Sequence, residues 1–143
     1  MSYGYMRNAS AIYQENSARG GVEGADRHQL TAMLFDGLID RINQARGAMM
    51  CGNVATKGTN FSRALAIIGE LRDSLDHEAG GELSARLDAL YDYVARRLLH
   101  AQLHDDVRAI DEALRLLAPV REAWLQIRDT YLASQDQAQG AAA

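Results

Sequence analysis

The stretch LYDYVARRLL, residues 90–99, decides the fold class of this chain. In a helix, residues three and four apart share a face, so an apolar stripe at that spacing is typical of a helix that packs on a core. The stripe here consists of Leu87, Tyr91, Val94 and Leu98. A second apolar track beside it is formed by Leu90, Tyr93 and Leu99. One small bundle has no internal use for two tracks, so the surplus predicts a surface offered to another chain.

Apolar residues recur at the same spacing before this stretch, and turn residues separate the runs. A first helix is predicted to follow Asp26 as N-cap and to stop at Gly52-Asn53. A second helix is predicted from about Val54 to Asp76. Gly80-Gly81 then predicts a break, and a third helix is expected over residues 83–103.

The same spacing continues after the polar turn at residues 104–106. Pro119 interrupts this last run and predicts a kink or a short separate helix, because proline removes one helical hydrogen bond. All connections are short, so the pattern predicts an all-α, antiparallel up-down four-helix bundle over residues 26–133. Residues 1–25 are predicted to form a flexible arm, and residues 134–143 a disordered tail.

Composition limits the classes of function that the chain can have. Its 143 residues suffice for one domain with its own core, and 48% of them are hydrophobic. The net charge of −4 argues against binding to nucleic acid. A single cysteine, Cys51, rules out an internal disulfide and favours a reducing compartment. No run of residues has the length and apolarity of a membrane span or a signal peptide, so a soluble, cytoplasmic protein is expected.

Residues with catalytic chemistry are present but poorly arranged for it. His100 and His104 lie one helical turn apart, but the glutamate of a zinc protease motif is missing. His77 could suggest a phosphotransfer bundle, but Glu78 beside it would repel a phosphoryl group. We therefore predict a protein that is not an enzyme, without catalytic residues, cofactor or metal. A phosphotransfer or metal protein is the less favoured alternative.

Several short motifs occur in an order and spacing that is quite specific when taken together. They are His28-Gln29-Leu30, residues 33–37, Ile67-Ile68 with Glu70-Leu71, Leu75-Asp76 with residues 80–82, residues 90–98, and residues 121–124. This set resembles the flagellin-specific export chaperones of the FliS family, from Ala11 to Trp124. Pro119 departs from the family pattern, and the arm before Ile12 is longer than that pattern predicts.

The resemblance implies a bundle that binds the disordered C-terminal segment of flagellin in hydrophobic grooves. It implies that the chaperone prevents premature polymerisation in the cytoplasm, hands the client to the export apparatus and contacts the export-gate membrane protein when loaded. No membrane insertion is implied, and the sequence leaves open whether the empty form is a homodimer. A generic, self-associating helical adaptor is the alternative. The groove residues predicted on this basis are Tyr13, Met33, Leu34, Leu38, Ile42, Ile68, Leu71, Tyr91, Tyr93 and Leu98.

Overall fold

The computed structural model describes residues 23–142 of the chain. Most of the predicted arm, including Tyr13, therefore lies outside the described residues, as does Ala143. The described part contains four α-helices: α1 at Glu23–Met50, α2 at Val54–Asp73, α3 at His77–His104 and α4 at Val107–Ala142.

The four helices form a closed ring of neighbours. α1 packs against α2 and α4, and α3 packs against the same two helices. The connections are residues 51–53, 74–76 and 105–106, which are too short to cross the bundle, so consecutive helices run antiparallel. The prediction of an up-down four-helix bundle is thus confirmed.

Each helix contributes one apolar stripe to a single central core. The large side chains of this core are at most 3% exposed. They are Leu34, Phe35, Leu38 and Ile42 of α1, Phe61, Ile67, Ile68 and Leu71 of α2, Tyr91, Val94 and Leu98 of α3, and Ile110 and Leu117 of α4. The stripe that the sequence predicts in α3 therefore faces inward, with Leu87 partly buried at its edge.

Two predicted helix starts were wrong. α1 begins at Glu23, so Asp26 lies inside the helix instead of capping it. α3 begins at His77, because Asp76 is its N-cap and accepts a hydrogen bond from the Ala79 N–H. For the same reason α2 ends at Asp73, before the predicted end at Asp76.

The Gly80-Gly81 pair is a kink inside α3 and not a break before it. Gly81 has a φ of 51°, a left-handed value that strains any residue with a Cβ atom. A Cβ atom on Gly80 would lie 1.9 Å from the Ser84 hydroxyl oxygen, which donates to the carbonyl of Asp76. Both glycines are therefore needed for the first turn of α3 to fold back onto its N-cap.

The short separate helix predicted after Pro119 was wrong, because α4 is one helix from Val107 to Ala142, and the alternative of a kink at Pro119 stays a prediction. Pro119 and Arg115, whose carbonyl loses its partner, are both exposed. That carbonyl can therefore bond to water, and the fixed φ of proline is compatible with a helix. The helix also takes in residues 134–142, where the sequence predicts a disordered tail; alanine and glutamine, both good helix formers, are frequent there.

Candidate functional site

The structure places most of the predicted groove residues in the core. Seven of them are at most 3% exposed: Leu34, Leu38, Ile42, Ile68, Leu71, Tyr91 and Leu98. Met33 is partly buried, Tyr93 is 37% exposed, and Tyr13 lies outside the described residues. Direct contact between the seven buried side chains and a partner stays a prediction, and it requires the bundle to open.

The second apolar track predicted in α3 was wrong, because its members face two different neighbours. The Tyr93 hydroxyl donates to the Glu112 carboxylate of α4 at 2.5 Å. Leu99 follows six residues later, which places it about 120° away around the helix. It lies two turns after Asp92, whose carboxylate accepts a hydrogen bond from Arg72 of α2. Leu99 therefore flanks the seam between α2 and α3.

Exposed apolar residues line this seam on both sides. Leu99 is 45% exposed and Leu103, one turn later, is 78% exposed. Across the seam, Val54 is 73% exposed and Leu65 is partly buried. Leu65 lies two turns before Arg72, the residue that reaches α3, so it faces the same seam. We call this surface the α2–α3 groove and define it by Val54, Gly58, Leu65, Gly69, Leu99 and Leu103.

Ion pairs join α2 to α3 near both ends of the groove. At one end the Lys57 ammonium lies 2.8 Å from Asp105 and donates to the Gln102 carbonyl at 3.3 Å. At the other end the Arg72 guanidinium donates to Asp88 at 2.8 Å. This hydrogen bond holds the pKa of Asp88 below its usual value. The charges at the two ends of the seam are thus paired with one another, and between them the exposed Arg96 pairs with Asp92 of its own helix.

The outward face of α2 beside the groove carries no charged residue from Val54 to Gly69. A solvent-facing helix surface is usually polar and charged. Here the outward positions are small and uncharged: Ala55, Gly58, Thr59, Ser62, Ala66 and Gly69. The charged residues of this stretch are Lys57, which reaches α3, and Arg63, which is partly buried. Such a surface is weakly hydrated and lets another helix come close.

Gly58 and Gly69 are not required by the packing of the described residues. An added Cβ atom would meet nothing within 4 Å at either position, and neither glycine has a positive φ. We expect Gly58→Ala and Gly69→Ala each to raise the free energy of unfolding by about 1 kcal/mol, since glycine is a poor helix former. Urea denaturation followed by circular dichroism measures this change. Gly81→Ala is the matched control and should destabilise the protein, because Gly81 has a φ of 51°. A loss of stability in the first two variants would show that the fold needs these glycines.

Three other large apolar side chains, which are not among the residues that define the groove, are at least half exposed. They are Met50 at the end of α1, Leu83 just after the kink in α3, and Ile127 in α4. They add apolar surface outside the α2–α3 groove.

Groups suited to metal binding or catalysis are scattered over the described residues. His100 lies 3.2 Å from the carboxylate of Asp106, which caps α4, and its ring packs 4.6 Å from that of His104. No group of three or more potential metal ligands occurs in residues 23–142 wherever their side chains are described. No helix in that part is long and apolar enough to cross a membrane.

Most of the groove was not predicted from the sequence. Leu99 was predicted only within the wrong track, and no role in partner binding was predicted for Val54, Gly58, Leu65, Gly69 or Leu103. The missed signal is the pair of glycines inside a helix together with the uncharged positions between them. Neither is explained by a core stripe.

Comparison with known proteins indicates the same family as the sequence motifs. The family described as "Flagellar protein FliS" matches residues 6–131. The chain is 44% identical over 125 residues to the flagellar secretion chaperone FliS of Salmonella typhimurium, covering 85% of this chain and 93% of the relative. It is 40% identical over 120 residues to the flagellar secretion chaperone FliSB of Pseudomonas aeruginosa, covering 84% and 95%. These names describe chaperones and not enzymes, as the sequence predicts. The chain belongs to the FliS family.

Proposed function

We propose that this protein is a flagellar secretion chaperone that binds the C-terminal segment of flagellin in the cytoplasm. It keeps that segment from polymerising too early and delivers it to the export apparatus. The observation that supports this proposal is the α2–α3 groove. Its apolar side chains stay exposed although the bundle already has a complete core without them. An exposed apolar surface of this kind marks a partner site or promotes aggregation.

The length of the groove suits an amphipathic helix of the client. The groove extends along α2 from Val54 to Gly69, a length of about 22 Å at the rise of an α-helix. A partner helix of about four turns could place residues at positions i, i+3, i+4 and i+7 against it. The small residues on the outer face of α2 would let that helix approach closely.

Binding a disordered client requires enough apolar area to offset the ordering of its chain. Ordering on binding costs about 2–5 kcal/mol. At about 25 cal/mol per Å2, this alone corresponds to roughly 80–200 Å2 of buried apolar surface. Association entropy adds a further cost. We therefore propose that the client helix lies along the whole length of the groove, from Val54 to Gly69.

A further contact rests on the family resemblance. The loaded chaperone contacts the export-gate membrane protein, and this contact needs no cofactor.

Isothermal titration calorimetry with a peptide of the flagellin C-terminal segment tests the function. We expect 1:1 binding with a Kd at or below the micromolar range. We also expect a negative heat-capacity change from titrations at several temperatures, since apolar surface is buried. A scrambled peptide of the same composition is the control.

The same titration separates the proposal from the adaptor hypothesis. An adaptor that self-associates would elute as a stable dimer and would ignore the flagellin peptide. No heat of binding at tens of micromolar peptide, together with a persistent dimer in size-exclusion chromatography with light scattering, would contradict the proposed function.

A further inference from the structure

The last turn of α3 is held by an unusual set of contacts. α3 ends at His104, and Asp105 follows with a φ of 50° and a ψ of 43°. The backbone N–H groups of Asp105 and Asp106 both bond to the carbonyl of Ala101. The carbonyl of Gln102 is therefore left without a partner from its own helix, as is usual near a helix C-terminus. The Lys57 ammonium of α2 donates to it at 3.3 Å.

Lys57 is suited to this position. It is the only lysine in the chain, and all other basic residues apart from histidine are arginines. An ammonium has three donors around one atom, so it can bond to a carbonyl and a carboxylate together. Lys57 does this with Gln102 and Asp105, and only 15% of its side chain is exposed. The positive charge also interacts favourably with the C-terminal end of the helix dipole of α3.

Asp105 is the unexpected partner in this contact. It is the one residue other than glycine with a positive φ in the part of the chain that the structure describes. Glycine is the usual residue at such a left-handed cap, because a Cβ atom there is strained. The aspartate carboxylate is 64% exposed, and an ion pair with so exposed a group contributes little stability. Glycine at position 105 would therefore make the fold as stable as aspartate does, or more stable.

The contact lies where the groove is most exposed. Leu103, at 78% exposure, precedes Asp105 by two residues, and Val54, at 73% exposure, precedes Lys57 by three. Lys57 thus joins the two helix turns that carry the most exposed apolar side chains of the groove. We propose that Lys57 and Asp105 are positioning residues for client binding, which fix Leu103 and Val54 at the separation that a client helix requires. This inference rests on the proposed function.

Asp105→Gly separates a positioning role from a structural one. It relieves the left-handed strain and removes the carboxylate that holds Lys57. With the full-length chain and the flagellin C-terminal peptide, we expect the Kd to rise about 3- to 5-fold, the limit that an exposed ion pair allows. We expect the thermal midpoint to stay the same or to rise by about 2–4 °C. A purely structural residue would change the midpoint and the affinity in the same direction.

Two further variants complete the test. Lys57→Met keeps the aliphatic stem without the charge and should weaken binding by a similar factor. Arg86→Gln breaks an exposed pair with Glu82 elsewhere on α3 and should leave the Kd unchanged. The wild-type titration tests the proposed function itself, so its failure would be recognised independently.

Given wild-type binding, an Asp105→Gly Kd within twofold of wild type would overturn the positioning role. A lowered thermal midpoint together with a loss of affinity would also overturn it.

Discussion

Aspartates at Leu99 and Leu103 together are expected to raise the Kd for the flagellin C-terminal segment at least about 100-fold while the bundle stays folded. Burial of one leucine is worth about 1.5–3 kcal/mol, and a factor of ten in Kd is about 1.4 kcal/mol. Only the exposed 45% and 78% of the two side chains can be newly buried by a client, so their loss accounts for about 2–4 kcal/mol. Burial of the new carboxylates adds a further penalty and brings the expected rise to about 100-fold or more. Both leucines are exposed in the chain alone, at 45% and 78%, so the free energy of unfolding should change by no more than about 1 kcal/mol.

Calorimetry gives the Kd, and urea denaturation gives the free energy of unfolding. The control is Ala118→Asp with Ala123→Asp, which adds the same two charges at exposed positions of α4. It should leave the Kd within about threefold of wild type. Equal losses of affinity in both double variants would show that the added negative charge weakens binding wherever it lies, and would contradict a specific role of the groove.

The fold was largely predictable from the sequence because one core stripe per helix is a strong signal. The stripe of Tyr91, Val94 and Leu98 in α3 is buried as predicted. Helix ends were less predictable, because competing caps decide them. Asp76 could have ended α2 or begun α3, and its carboxylate accepts from Ala79 in the structure. The outcome at Pro119 depended on whether the freed carbonyl reaches water, which only the packing determines.

The groove was hardly predictable from the sequence. Leu38 and Leu103 are the same residue type at helical spacing, yet one is 0% exposed and the other 78%. A stripe shows which residues share a face of one helix, but it does not show how far the neighbouring helices cover that face. At the α2–α3 seam, the extent to which a side chain is covered by the neighbouring helix depends on the side of its own helix on which it lies. Leu99 illustrates this, since it lies on the flank opposite to the one that Tyr93 shares with α4.

Gly58 and Gly69 are a signal in the sequence that is independent of the apolar stripes. A glycine costs helix stability, and a Cβ atom at either position would meet nothing within 4 Å in the described part of the chain, so neither glycine is explained by the fold. Asp105, on the other side of the groove, has a left-handed conformation that is likewise unfavourable for the fold. Both observations point to the seam between α2 and α3, and both are independent of its exposed leucines.

Leu38→Ala is expected to lower the free energy of unfolding by about 2–5 kcal/mol. Leu38 is 0% exposed at the centre of α1, and alanine would leave a cavity among the core side chains. A domain of this size is typically stable by about 5–15 kcal/mol, so the variant would lose a large part of its stability. The measurement is urea denaturation followed by circular dichroism at 222 nm. At 10 °C, where the variant is still folded, the flagellin peptide should bind within about threefold of the wild-type Kd.

Leu103→Ala is the matched control, because it removes the same atoms from a side chain that is 78% exposed. It should change the free energy of unfolding by less than about 0.5 kcal/mol and raise the Kd about 10-fold. Leu38→Ala is thus expected to lower stability with little effect on binding, and Leu103→Ala to weaken binding with little effect on stability. Leu38 also belongs to the groove residues predicted from the sequence. A large rise in Kd for folded Leu38→Ala would therefore favour a bundle that opens to bind its client through the core, and would contradict binding at the α2–α3 groove alone.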